Sequence, residues 1–416
     1  MEVTKARYHV KNEVAKSRSI KGRVAISLAA ILLFASGGFV LAALNKPLPQ
    51  VNYVINDSLT KPTKQVDLAW PSQGQAAIGS LDDGILAVNN TKTKPVPIAS
   101  ITKVITALVV MEKAPFSKGE FGKTYTFTTA DQLSFDAYLT RMGTVVPSSA
   151  GQKITQYHAL QAILLASANN VADSFVRWEF GNTESYLEYA NNLIKSYGLK
   201  DTKVVDASGF SASSVSTPAD LIILGQKILN QPVLAEIVQQ KQANLPGIGL
   251  IDNSNKLLTK NSAIGIKTGN TDEAGYCLLF ATKHKLKTGQ SVIIIGAILG
   301  MKQSSVVFES SEKLLTSAKK GFGEIISIPE DTEVGVVTNR WGGSSALVTK
   351  ESLNVYGWKG KNYTPKVEIN KLKADMPEES TIGTIKVSDK ADGATEIKTV
   401  NALAEPKFVW KLNNLL

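Results

Sequence analysis

Residues 263–300 read "AIGIKTGNTDEAGYCLLFATKHKLKTGQSVIIIGAILG". Three runs rich in β-branched and aromatic residues ("AIGIKTG", "GYCLLFATKH" and "SVIIIGAILG") are separated by turn residues, which predicts three consecutive strands. Upstream, "QAAIGSLDDGILAVNN" (75–90) places two short apolar runs around Asp82-Asp83-Gly84, the pattern of a further hairpin. Helical patterns fill the space between. One starts near Ser100, with Ile101, Val104, Ile105, Leu108 and Val109 on one face. Others run over 155–178, with a break at Ala168-Asn169-Asn170, and over 183–197, 218–230 and 304–322. Helices enclosed between strands of one antiparallel sheet define an α+β domain over 68–328. After Pro329 come short alternating runs separated by turns, a small all-β domain over 329–416.

The N-terminal segments differ in kind. Residues 1–23 hold seven Lys or Arg against Glu2 and Glu13. Residues 24–44 carry no charge and are long enough to cross a bilayer. A basic tail before such a span stays in the cytoplasm, so the expectation is a single-pass membrane anchor with everything after it outside the cytoplasm. The alternative is a signal peptide cleaved after Val40-Leu41-Ala42. Residues 45–67, rich in Pro, Lys, Asn and Thr, suit a linker.

Composition narrows the chemistry. The 416-residue chain has 43% apolar and 20% charged residues, enough for sizeable cores. Half of its charge of +10 sits in the membrane-proximal tail and the rest is spread along the chain with no basic-aromatic patch, so no nucleic-acid partner is expected. A single cysteine, Cys277, excludes an internal disulfide and reads as a buried strand residue. Histidines 9, 158 and 284 are scattered and no metal-ligand spacing occurs, so neither a metal nor another cofactor is expected.

Three polar constellations can carry chemistry without a cofactor. Ser100-Ile101-Thr102-Lys103 puts a hydroxyl and an amine on one face of a buried helix start, where the amine can act as base. Three further Ser-x-x-Lys combinations, Ser58/Lys61, Ser310/Lys313 and Ser317/Lys320, lie in the linker or on a solvated helix. A buried lysine is a useful base once its pKa falls, through desolvation and a neighbouring cation. Lys267 is the candidate cation. Ser167-Ala168-Asn169 offers a second hydroxyl to relay a proton and an amide to hold the lysine; its alternative is a helix cap. Lys-Thr-Gly occurs twice. Lys267-Thr268-Gly269 lies in a strand, where Gly269 admits close approach and the Asn270 N–H can face an oxyanion. Lys287-Thr288-Gly289 reads as a hairpin turn.

In the order Ser-x-x-Lys, Ser-x-Asn, Lys-Thr-Gly, these constellations are the set of penicillin-binding proteins and class A β-lactamases. Together with "PIASITKVITALVV", "LLASANNVAD", "DASGFSASSVSTPADL", "NSNKLL", "IKTGNTDEAGYCLLFAT" and "VFESSEKLLTSAKKGF", they resemble the D-alanyl-D-alanine carboxypeptidases of peptidase family S11 over about residues 68–325. The resemblance implies the serine-transferase fold of that class and a β-rich C-terminal domain. It implies peptidoglycan stem peptides as substrate and β-lactams as covalent inhibitors. It further implies Ser100 as nucleophile, Lys103 as proton acceptor, and Ser167 and Asn169 in proton transfer and positioning. Lys267 and Thr268 would hold the substrate carboxylate, with the Ser100 and Asn270 amides as oxyanion hole. The chain departs from the family in having Ala168 where Gly is commoner, and in the wall "GTVVPSSAG" (143–151). A class A β-lactamase would add a glutamate in a Glu-x-x-Leu-Asn context, which Glu179/Asn182 and Glu188/Asn191 only echo. A DD-endopeptidase or transpeptidase would use the same residues. A non-catalytic wall-binding membrane protein would not need them all.

Overall fold

The structure, a computed structural model, describes residues 2–56, 65–90, 94–260, 262–370, 372–388 and 393–415. The Ser58/Lys61 pair lies outside them. Two compact units emerge. One comprises Pro62–Ile325 and Tyr356–Asn362, the other Met1–Lys61, Ile326–Val355 and Tyr363–Leu416.

The larger unit is built on a five-stranded sheet of β1 (Gln75–Ser80), β2 (Gly84–Val88), β3 (Ala263–Thr271), β4 (Gly275–Lys285) and β5 (Ser291–Met301). Their spatial order is β3-β4-β5-β1-β2, with every neighbouring pair antiparallel. The three-strand run of 263–300 thus forms a meander that leaves β3 at an edge. The helices are α1 (Thr102–Lys113), α2 (Thr129–Thr140), α3 (Gln156–Leu164), α4 (Asn169–Phe180), α5 (Thr183–Ser196), α6 (Pro218–Leu229), α7 (Pro232–Val238) and α8 (Ser304–Gly321). This is the expected α+β arrangement.

Helix α1 is more deeply placed than its apolar stripe implied. Every residue from Thr102 to Met111 is buried, so the helix has no solvated face. Thr106 makes this tolerable: its hydroxyl lies 2.8 Å from Tyr186 Oη and donates to the Ala207 carbonyl at 2.7 Å. The helical run over 155–178 is two helices, and the break falls at 165–168, earlier than expected. Ser167 adopts φ +64° there, and Asn169 opens α4 instead of ending α3. Helices α2 and α7 were not read from sequence. Helix α2 is amphipathic over too few apolar residues to show a period, yet its start is fixed by a capping box between Thr128 and Asp131.

The smaller unit contains a six-stranded antiparallel sheet and the N-terminal helix Glu2–Leu44. Its strands follow the alternating runs after residue 329, with one addition. Asn52–Ile55, inside the expected linker, is an edge strand paired with Glu333–Thr338. A four-residue strand whose partner lies some 280 residues away leaves no local signal, so composition alone misassigned it. The units also divide at Ile325/Ile326 instead of at 328, and Tyr356–Asn362 returns to the larger one. There Trp358 is buried, its ring 5.1 Å from Phe322. Residues Gly22–Ala42 are long and apolar enough to cross a membrane, two positions earlier than the 24–44 expected. This is an anchor or a signal sequence.

Candidate active site

Strand β3 and the N-terminus of α1 meet in the larger unit. Before α1 the chain makes a short 3₁₀ turn, Ala99–Ile101, with Ala99 at φ +47°. The turn puts Ser100 at the surface of a pocket of about 340 Å³, also lined by Ser167, Thr268, Gly269 and Asn270. Gly269 is required by the packing. A Cβ there would stand 2.7 Å from the Ile98 carbonyl oxygen and 3.1 Å from the Ser100 nitrogen. Strand and turn therefore approach closely through backbone at Gly269, which brings Ser100 and Asn270 to one pocket.

Lys103 lies one helical turn beyond Ser100 and is fully buried. Its Nζ is 2.8 Å from Ser100 Oγ, 2.7 Å from Asn169 Oδ1 and 2.6 Å from the Ser208 carbonyl oxygen. Asn169 Oδ1 and the Ser208 carbonyl only accept hydrogen bonds. A neutral amine has two N–H donors and one lone pair. With both donors committed to those acceptors, its lone pair faces the serine hydroxyl. Burial drives the Lys103 pKa well below its ordinary value, and the charge of Lys267 pushes it further down; Asp206 and Asp173 oppose them. Lys267 is also buried, which brings its pKa down to about 7, and its Nζ donates to the Thr268 carbonyl at 3.1 Å. The geometry thus supplies a hydroxyl, an amine whose pKa is driven down beside it, and a second buried lysine alongside.

All eight residues singled out from sequence belong to this site. Ser100, Ser167, Thr268, Gly269 and Asn270 line the pocket, while Lys103, Asn169 and Lys267 are buried around it. The Ser167 hydroxyl has no hydrogen-bond partner among the described residues. Its left-handed backbone costs about 1 kcal/mol or more for a non-glycine residue, and such strain is typical of functional turns. The second Lys-Thr-Gly is a turn, as read. Gly289 has φ +89°, the Leu286 N–H donates to the Gln290 carbonyl at 2.7 Å, and Lys287 is exposed.

Residues 74–298 match the sequence profile of peptidase family S11, described as D-alanyl-D-alanine carboxypeptidase. The chain belongs to this family. It is 26% identical over 299 residues to the D-alanyl-D-alanine carboxypeptidase DacC of Escherichia coli (strain K12), covering 70% of each chain. It is also 25% identical over 262 residues to a D-alanyl-D-alanine endopeptidase of Pseudomonas aeruginosa, covering 61% of this chain and 77% of that one. Among solved structures, the D-alanyl-D-alanine carboxypeptidase DacD from Francisella tularensis superposes with a TM-score of 0.57 at 18% identity. That match covers 85% of this chain and 98% of the other. At that identity the match speaks for the fold.

Within this S11 site, the supporting residues escaped the sequence reading. Asp206 gathers the loop that presents the Ser208 carbonyl. Its carboxylate accepts from Ser208 Oγ at 2.9 Å, Ser214 Oγ at 2.6 Å and the amides of Phe210 (2.8 Å) and Ser211 (3.2 Å). Asp206-Ala207-Ser208-Gly209 is rich in turn residues, so the loop was findable; its target, Lys103, was not. Asn170 clamps the irregular wall at 143–151. Its amide donates to the Val146 carbonyl at 2.8 Å and to Ser148 Oγ at 3.0 Å, and its Oδ1 accepts from the Val146 N–H at 3.1 Å. Ser254 Oγ lies 2.6 Å from Thr268 Oγ1 at the far end of the pocket.

Proposed function

We propose that this chain is a membrane-anchored serine D-alanyl-D-alanine carboxypeptidase that removes the terminal D-alanine from peptidoglycan stem peptides outside the cytoplasm, and that penicillins acylate it. The observation that carries the reading is the contact of Lys103 Nζ with Ser100 Oγ at 2.8 Å, with Asn169 and Ser208 occupying its other directions. In this mechanism Lys103 takes the Ser100 proton as Oγ attacks the carbonyl carbon. The oxyanion rests on the Ser100 and Asn270 amides. Ser167 passes a proton to the leaving amine. Lys267 and Thr268 hold the terminal carboxylate, and water then releases the acyl group.

A β-lactamase reading loses its glutamate in this arrangement. Glu179 is bound by Lys123 at 2.8 Å and by the Tyr125 hydroxyl, and Glu188 is exposed. Relatives named as carboxypeptidases and as endopeptidases both match this chain, so the substrate assay decides between them. The full chain in detergent is expected to release D-alanine from a peptide ending in D-alanyl-D-alanine. No D-alanine release together with cleavage of cross-linked dimers would overturn the reading.

Lys267 gives that assay a pH signature. With its pKa near 7 in the free protein, Lys267 is charged below that pH and loses its charge above it. The rate constant kcat/KM is therefore expected to decline on the alkaline side through about pH 7. Lys267→Ala should lose roughly 100-fold in kcat/KM and the alkaline limb with it, because a charged hydrogen bond of about 3 kcal/mol disappears. Lys287→Ala, in the exposed turn, should keep both. The reverse pattern would mean that the copies are assigned the wrong way round.

A further inference from the structure

The catalytic pocket does not end at Thr268. Ser254, hydrogen-bonded to Thr268, belongs to a segment whose Asn253, Asn255 and Lys256 border a second cleft of about 840 Å³. Lys256, Ser304 and Phe308 line both spaces, so the two adjoin. The floor of the larger cleft is apolar, from Leu257, Leu258 and Phe308. Its charges are unevenly matched. Lys260 pairs with Glu312 at 3.2 Å, and Asp252 accepts from Gln242 at 3.0 Å. Lys241 and Lys256, among the described residues, have no ion-pair or hydrogen-bond partner for their ammonium groups. Among the described residues the cleft therefore combines an apolar floor with two lysines that no carboxylate contacts and one carboxylate, Asp252, that no cation contacts, an excess of one positive charge. Lys256 stands on the rim shared with the catalytic pocket.

We propose that this cleft is a leaving-group subsite, which admits C-terminal D-residues larger than alanine and selects those whose side chain ends in a carboxylate, paired with Lys256. The proposal rests on the reading of Lys267 and Thr268 as the clamp for the terminal carboxylate. That clamp fixes the leaving residue beside Ser254, and its side chain is the part free to run past Ser254 to Lys256. The chemical step is unchanged. Ser100 Oγ bonds to the acyl carbon, the C–N bond breaks, and the leaving amine takes the serine's proton. A methyl side chain would leave the cleft empty, whereas a longer one would bury apolar carbons over Leu257 and Phe308 and bring its end to the lysine.

Three peptides sharing one acyl-D-alanyl half and ending in D-glutamate, D-glutamine or D-lysine test this with the full chain in detergent. Release of the terminal residue is expected in the order D-glutamate, D-glutamine, D-lysine, with kcat/KM about fivefold apart between the charged pair, the size of a partly exposed ion pair. Lys256→Glu is expected to invert the order of D-glutamate and D-lysine, and Lys256→Gln to level it. Lys287→Glu, in the exposed turn, is expected to keep the wild-type order. An equal rate for all three peptides, or the same order in wild type and Lys256→Glu, overturns the subsite. Release of D-alanine alone, with none of the larger residues removed, overturns it and leaves the proposed function standing. Neither D-alanine release nor a penicillin adduct would overturn both.

Discussion

Lys103→Met is expected to slow acylation by a fluorescent penicillin roughly 10²- to 10⁴-fold, the range of a general base, while the protein remains folded. Lys103 and Lys267 are among the largest fully buried side chains, and each brings a desolvated amine into a well-packed core. Methionine fills a similar volume without the amine, so thermal unfolding should stay at the wild-type temperature or rise, as when a strained functional site is relieved. Loss of acylation with retained stability separates a missing base from a damaged fold. The pH profile gives an independent check. Because burial and Lys267 depress the Lys103 pKa, acylation is expected to fall on the acid side as pH drops through that lowered value. The acid limb should be present in wild type and absent from the residual activity of Lys103→Met. An unchanged acid limb in the variant would assign the limb to another group.

The second large effect sits on a residue with no polar atom in its side chain. Gly209 has φ +72°, and a Cβ there would stand 1.9 Å from the Ala99 carbonyl oxygen and 2.6 Å from Thr102 Oγ1. Ala99 belongs to the turn that carries Ser100, and Thr102 opens α1 directly after it. Gly209→Ala must displace either that turn or the Ser208 carbonyl beside it. Displacement of about 1 Å in a catalytic constellation costs on the order of 100-fold, so acylation should fall at least that far. The strain and overpacking should also lower stability by about 2–4 kcal/mol. Gly181→Ala is the matched control, with φ +79° and open space around its Cβ. It should cost only about 1 kcal/mol and leave the acylation rate unaltered. Equal acylation rates in the two variants would show that the turn tolerates movement.

The chemistry was more legible than its scaffold. Ser100, Lys103, Ser167, Asn169, Lys267, Thr268, Gly269 and Asn270 were accessible because each sits in a short motif whose spacing suits one helix face or one strand. The five-stranded sheet was legible in its meander, where β-branched runs alternate with turns. What stayed hidden depends on contacts between distant segments. The Ser208 carbonyl reaches Lys103 across 105 positions. Asn52–Ile55 joins a sheet made mostly of residues beyond 332. The break before Asn169 was placed late because polar Asn169 and Asn170 read as helix-ending, whereas both are buried at the start of α4, bonded to Lys103 and to the pocket wall. Local polarity cannot tell a cap from a buried clamp when the partner lies on another element.

The identity of the acylated atom tests the central claim most directly. The full chain in detergent, incubated with benzylpenicillin, digested and weighed by mass spectrometry, is expected to carry one penicilloyl group, on the peptide containing Ser100. Ser100→Ala is expected to carry none. An adduct on Ser167 or Cys277, an adduct that survives in Ser100→Ala, or no adduct on the wild-type protein would contradict the account.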